Sequence, residues 1–370
     1  MRSVGIQALS VHLPDTVRTN KWWGADSASV ENSQPAQPSG PRPRNLFDAA
    51  MQPYIDDPFF GSVERRIAAP GEGSVSLGIK AARSVLETAN IGADEVDGLI
   101  SVSMFPDRVG AGDAGYLAQA LGTAGGAFSL EATCSGSMSA LLTASSLVQS
   151  GLKERVLVVV ASMLSRAIDA DDVTARLCGD AAAAFLVGPV DDGYGLLGSK
   201  TLQTGETCGT WLLDTVDEPE GTTAGGRRIR LRVDPTITHV LRATAKPYLL
   251  GTVEGALEAA QLKIDEIDVV VPNTPTAWHA RFSADALGVD PDRVVNTFPS
   301  VANIGPALMP VNTHLAAVEG RIKPGDRVLL YTFGGQAEAG AAVFRWPSVL
   351  LGPAPAGATT TLHSIGGNHG

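Results

Sequence analysis

Short runs of Val, Leu and Ile recur along the chain, separated by stretches whose apolar residues return at helical spacing. The spacing predicts a helix over 76–89, a strand over 98–103 and a helix over 113–121. An apolar stretch over 126–130 leads into a helix over 136–149 that stops at Gly151, and strands follow over 156–161 and 181–187. The strand runs are apolar throughout rather than alternating, the mark of a sheet covered on both faces.

The pattern occurs twice. Leu86-Glu87-Thr-Ala89 followed by Asp94-Glu95-Val96-Asp97 reads as helix, turn and buried strand, and Leu257-Glu258-Ala-Ala260 followed by Asp265-Glu266-Ile267-Asp268 reads the same way. Residue 86 recurs at 257 and residue 94 at 265, both 171 positions on; Arg155-Val156-Leu157 recurs at Arg327-Val328-Leu329, 172 positions on. Two halves, 1–195 and 196–346, each of helices around a sheet, predict a duplicated α/β/α/β/α arrangement of five layers, with the site where the halves meet. Residues 25–58, rich in Ser, Pro, Asn and Asp, fall outside the repeat and read as a loop or insertion, either a linker or a cap over the site. The Gly/Pro/Ala/Thr-rich segment 347–370 reads as a mobile tail.

Composition narrows the function classes. A net charge of −11 argues against nucleic acid as a partner, because phosphate contacts need basic surface. No apolar run reaches the length of a membrane span and no secretory leader is read at the N-terminus, so the expected location is cytoplasmic. Three widely spaced cysteines, Cys134, Cys178 and Cys208, suggest neither a disulfide framework nor a metal site.

Cys134 is the candidate nucleophile. It lies in Glu131-Ala-Thr-Cys-Ser-Gly-Ser-Met138, where the apolar stretch turns into a helix. Unpaired N–H groups at a helix N-terminus favour a thiolate and are expected to lower the thiol's pKa, readying it to take an acyl group from a thioester. The competing reading is a buried cysteine acting as a small hydrophobe.

In this order and spacing the chain resembles the thiolase-fold condensing enzymes of the β-ketoacyl-acyl-carrier-protein synthase III type over most of residues 1–346. The matching pieces are His12-Leu-Pro-Asp-Thr-Val-Arg-Thr-Asn20, Arg65-Arg-Ile-Ala-Ala-Pro70, Cys134 with its Ser-Gly, Gly179-Asp180, the segment Ala302-Asn303 to Pro310, Gly320-Arg-Ile-Lys-Pro-Gly325, Phe333-Gly-Gly335 and Gly340-Ala-Ala-Val-Phe344. The resemblance implies a thiolase-like fold and a Cys134 acyl-enzyme formed from an acyl-CoA or acyl-carrier-protein thioester. It also implies an oxyanion hole from the N–H groups of Cys134 and Gly335, Asn303 as a hydrogen-bond donor to a thioester or acceptor carbonyl, and a homodimer with 127–130 at its interface. CoA or phosphopantetheine enters as part of a substrate, and no resident cofactor or metal is expected.

Two departures bear on the chemistry. The family's histidine follows a Val-Pro after a strand of the second half, and here that place reads Val271-Pro272-Asn273. An amide donates a hydrogen bond but moves no proton near pH 7, which puts decarboxylative condensation in doubt. His279, six residues on, is the alternative proton carrier; His239 and His314 read as structural, and His363 and His369 as irrelevant. The family's tryptophan before Arg65 is also missing, and the stretch there is Asp56-Asp57-Pro58-Phe59-Phe60. Arg228, Arg230 and Arg232 share one face of an extended segment and are candidates to meet an acidic carrier or a phosphate; a solvated face is the alternative.

The expected function is therefore an acyltransferase of secondary metabolism. It would move an acyl group through Cys134 to a hydroxyl, an amine or another carrier, with a small-molecule acceptor. The alternatives are a decarboxylative β-ketoacyl synthase that primes a polyketide and a non-catalytic partner subunit of a heterodimeric synthase.

Overall fold

The structure, a computed structural model, describes residues 2–24, 43–217 and 227–360. In the first half β1 (Val4–His12), β2 (Thr16–Thr19), α1 (Leu46–Met51) and β3 (Glu64–Ile67) precede α2 (Ser74–Ala89). Then come β4 (Gly98–Met104), α3 (Ala114–Leu121), β5 (Gly126–Ser129), α4 (Gly136–Gln149), β6 (Val156–Met163) and β7 (Asp180–Pro189). The second half holds β8 (Gly195–Gln203), β9 (Trp211–Asp217), β10 (Arg227–Val233), α5 (Ile237–Ala260), β11 (Val269–Pro272) and α6 (His279–Leu287). It ends with α7 (Phe298–Val301), α8 (Leu308–Val318), β12 (Arg327–Phe333), β13 (Glu338–Arg345) and β14 (Leu350–Leu351).

The strands build two main sheets of the same design. One runs β14-β1-β7-β6-β4-β5 and the other β8-β13-β12-β11. Each antiparallel or parallel pairing in the second, from β8·β13 to β11·β12, repeats that of β1·β7 to β4·β6. A parallel bridge between Val270 and Val294 occupies the place of β5.

Alternation along each strand explains why the runs are apolar throughout. In β6, Val156, Val158 and Val160 enter the core between the sheets, which α4 and α8 fill, while Leu157, Val159 and Ala161 face α2 and α3 on the outside. In β12, Val328 and Leu330 face the shared core while Leu329 and Tyr331 face α5 and α6. Helix pairs outside, helix pair between and two sheets make the five layers, a thiolase-type α/β fold.

The repeat extends to single residues. Asn90 and Gln261 end their helices in left-handed conformation, with φ of 53° and 57°. Arg155 pairs with Glu95 at 3.4 Å and Arg327 with Glu266 at 3.1 Å. Asp97 accepts the Arg155 N–H as Asp268 accepts that of Arg327.

Two expectations are corrected. Of the segment 25–58, residues 25–42 lie outside the described ones, but 43–58 include α1 rather than loop alone. Asn45 caps that helix by accepting the Asp48 N–H, and Phe47 packs edge-on against Trp278 and Phe282. The tail is docked through residue 360 and not loose. Leu350 and Leu351 pair with Ala8 and Leu9, the Gly352 N–H donates to Leu9, and Thr360 binds Glu319. His363 and His369 lie outside the described residues.

Candidate active site

After β5 the chain turns sharply into α4, and Cys134 sits in that turn, the 3-10 segment Thr133–Ser135. Thr133 adopts φ of 49°, a left-handed conformation that costs a non-glycine residue roughly 1–2 kcal/mol and must be held by its surroundings. Four bonds hold it. The Thr133 N–H donates to Glu131 at 2.7 Å and its hydroxyl to the Gly335 carbonyl at 2.9 Å; the Ser135 N–H and hydroxyl both donate to the Ala132 carbonyl. Gly136 opens α4 where a Cβ would meet Val102 at 2.6 Å, so the helix N-terminus reaches β4 only without a side chain.

The turn faces the other half. A Cβ on Gly334 would lie 2.6 Å from the Thr133 hydroxyl and 2.7 Å from the Ala132 carbonyl and the Ser135 hydroxyl, so this approach requires glycine. Around Gly335, the Gly334 N–H goes to Glu338, the Gln336 N–H to the Thr207 hydroxyl and the Gly335 carbonyl to Thr133. No acceptor takes the Gly335 N–H among the described residues. The turn's own bonds begin with the N–H of Ser135 and Gly136, which leaves that of Cys134 outside the ladder. Two main-chain N–H groups without a recorded acceptor, one from each half, thus lie on segments that the Thr133–Gly335 hydrogen bond joins.

Asn303 enters from the segment before α8, whose turn Gly305–Ala307 packs against the Cys134 turn. Its main chain is clamped between Leu177 and Gly179, and its Oδ1 accepts the Gly305 N–H at 2.9 Å. With the oxygen committed, Nδ2 is the end left to donate. Cys178 pairs with Asn303 in an isolated bridge and lies close enough for the Cys134 charge to help raise its pKa, after burial, the larger cause.

Asn273 is fully buried and used twice by one neighbour: its Nδ2 donates to the Phe333 carbonyl at 3.0 Å, and its Oδ1 accepts the Phe333 N–H at 3.1 Å. It fastens the end of β12 just before the Gly334-Gly335 loop, using its oxygen and one of its two Nδ2 hydrogens in that pairing. His279 begins α6 with its ring 5.8 Å from that of Phe282, and burial lowers its pKa to about 4, so it is neutral at pH 7. No hydrogen bond or ion pair ties that ring to Cys134 among the described residues. His314 is buried and bonded to the Gly352 carbonyl at 3.0 Å, and His239 is exposed on α5.

The arginine segment is the extended strand that the pattern suggested, paired with β9. It is not an open cationic face, however. Arg230 is buried and paired with Asp169, and Arg232 meets Asp214 at 3.0 Å. The Arg228 side chain lies outside the described ones.

The thiol itself departs from expectation. Cys134 is half-buried, and loss of solvation, with Glu131 adding to it, pushes its pKa up to about 12. Helix-end amides do favour the anion, but at neutral pH the resting sulfur keeps its proton, and attack requires a group to take it. Glu131 and Cys178 were not assigned roles from the sequence; the three-residue spacing from Glu131 to Cys134 was the available signal. Arg65 was visible only as part of a matching segment. It is fully buried, donates to the Arg18 and Arg176 carbonyls, to Asn20 and to Ser62, and lies over the Trp23 ring. Burial lowers its pKa to about 10, so it stays charged while it ties β2 and β3 to the segment that leads to Cys178.

Comparison with known proteins agrees with this geometry. Residues 128–205 match the 3-oxoacyl-[acyl-carrier-protein] synthase III family and residues 257–346 its C-terminal part. The β-ketoacyl-[acyl-carrier-protein] synthase III of Agrobacterium fabrum is 32% identical over 291 residues, covering 77% of this chain and 88% of the relative. The solved synthase III of Thermus thermophilus superposes with a TM-score of 0.74 at 29% identity, covering 92% of this chain and 99% of that one. That of Pseudomonas aeruginosa gives 0.75 at 23%, covering 94% and 99%. Among the described residues no helix is long and apolar enough to cross a membrane. The chain belongs to the β-ketoacyl-[acyl-carrier-protein] synthase III family, transferases on the thiolase fold.

Proposed function

We propose that this protein is an acyltransferase that carries an acyl group from an acyl-CoA or acyl-carrier-protein thioester, through Cys134, to a hydroxyl, an amine or a second carrier in secondary metabolism. Cys134 attacks the thioester carbonyl, the N–H groups of Cys134 and Gly335 hold the oxyanion, and Nδ2 of Asn303 orients the acyl or acceptor carbonyl.

The observation that carries this reading is Asn273. Decarboxylation of a malonyl thioester leaves an enolate whose charge needs a strong donor, and the side chain here is a neutral amide tied through both Oδ1 and Nδ2 to the Phe333 main chain. Acyl transfer to a heteroatom forms no enolate and has no such need. The partner we propose is a second copy of the chain, joined through β5, an edge strand whose Phe128 is 45% exposed.

The test is incubation with a labelled acyl thioester and a malonyl carrier. The reading predicts loss of the label to an added alcohol, amine or carrier thiol without CO₂. Release of CO₂ with a β-ketoacyl product would instead establish condensation.

A further inference from the structure

A sulfur that keeps its proton at rest needs a base, and the positions the sequence offered do not provide one. Both polar atoms of Asn273 are bonded to Phe333, and Oδ1 of Asn303 to the Gly305 N–H. His279 packs on Phe282, and His314 is bonded to Gly352. Among nearby carboxylates, Asp180 is fully buried and accepts from the Ala68 N–H and from the Ser165 N–H and hydroxyl, and Glu338 takes the Ser139 hydroxyl.

Glu131 differs from all of these. It stands three residues before Cys134, just ahead of the same tight turn, and near enough for its charge to act on the thiol. One carboxyl oxygen, Oε1, is pinned by the Thr133 N–H at 2.7 Å, which fixes the group beside the nucleophile, while no hydrogen bond commits Oε2 among the described residues. Thr133 is in turn fastened to Gly335, so hydrogen bonds link the carboxylate, the Cys134 turn and the Gly335 segment. Glu131 reaches the surface, yet protein packed around it dehydrates the carboxyl and raises its pKa, a change the Thr133 bond partly offsets. Its charge also bears on the Cys134 thiol.

We infer that Glu131 is the proton carrier of the transfer, accepting the Cys134 proton as the sulfur attacks and delivering it to the departing thiol. The inference rests on the acyl-transfer reading above. In the first half-reaction the bond from Sγ to the acyl carbon forms and the donor's carbon–sulfur bond breaks; the proton passes from Sγ to Oε2 of Glu131 and on to the donor sulfur. In the second, the acceptor's O–H, N–H or S–H gives its proton to the same carboxylate as it attacks, and Sγ of Cys134 leaves and recovers that proton. Charge and atoms balance without an external base.

The test compares two reactions of Cys134 in one variant. Glu131→Gln keeps an oxygen for the Thr133 N–H but takes no proton. Transfer from acetyl-CoA or from hexanoyl-phosphopantetheine to Cys134, followed by single-turnover mass spectrometry, should slow by about 10²-fold, the usual loss on removing a general base. Alkylation of the Cys134 peptide by iodoacetamide at the same pH should stay equal or rise, because removing a negative charge eases formation of the thiolate. Glu131→Asp should recover part of the transfer rate. Unchanged transfer in Glu131→Gln, or transfer and alkylation that fall together, would overturn the inference while leaving acyl transfer through Cys134 intact. A wild-type protein that accepts neither acyl group would overturn both.

Discussion

The two halves share a scaffold and divide the chemistry. Each places a non-glycine residue at positive φ just before its central helix region, Thr133 with φ of 49° and Ala302 with φ of 58°. The next residue is Cys134 in one half and Asn303 in the other, the proposed nucleophile and the proposed hydrogen-bond donor. The features that build the fold have stayed alike, down to the Glu95–Arg155 and Glu266–Arg327 pairs, while the two turns have diverged. A duplicated frame supplies two strained turns, one in each half, and they pack against each other.

The contact between the halves is the most sensitive point of that comparison. Gly334→Ala would press a Cβ against three atoms of the Cys134 turn, and a displacement near 1 Å should lower acyl transfer by about 10²-fold. Transfer at the wild-type rate would show that the oxyanion loop need not touch the nucleophile turn.

A second difference is that α6 starts at buried His279 where α3 starts at Ala114. Burial depresses the folded pKa of His279 from 6.5 to about 4. The folded state therefore binds fewer protons than the unfolded chain between those values. Its stability from this group is complete above 6.5, drains as pH falls toward 4, and amounts to about 3 kcal/mol in all. Denaturation midpoints between these pH values should slope less in His279→Phe than in wild type; equal slopes would remove His279 as their source.

The smallest effect belongs to what the halves retain. Arg155→Ala and Arg327→Ala break equivalent, largely exposed pairs, and each should cost less than about 1 kcal/mol of stability in urea denaturation. A large cost in one alone would mark a difference between the halves that their matching geometry conceals.

Much of the frame was readable because strands buried on both faces leave unbroken apolar runs. The helix expected over 136–149 is α4 residue for residue, and the turn that holds Cys134 lies where apolar stretch gives way to helix. What escaped reading depends on partners far along the chain. Phe47 makes α1 worth forming only because Trp278 and Phe282 are there to receive it, and the two leucines of β14 carry no period until β1 lies beside them. At the site, position 273 read as asparagine where the resemblance implied histidine, but only folding shows the amide engaged by Phe333. The helix end at Cys134 suggested a thiolate; burial and Glu131, which oppose it, follow from tertiary structure.

The most direct measurement is the intact mass of wild-type protein and Cys134→Ala after exposure to a panel of acyl-CoA and acyl-carrier-protein donors. Acyl transfer through Cys134 predicts a gain of one acyl group in the wild type and none in the variant. Absence of any adduct in the wild type, or an adduct that persists without the sulfur, would contradict it.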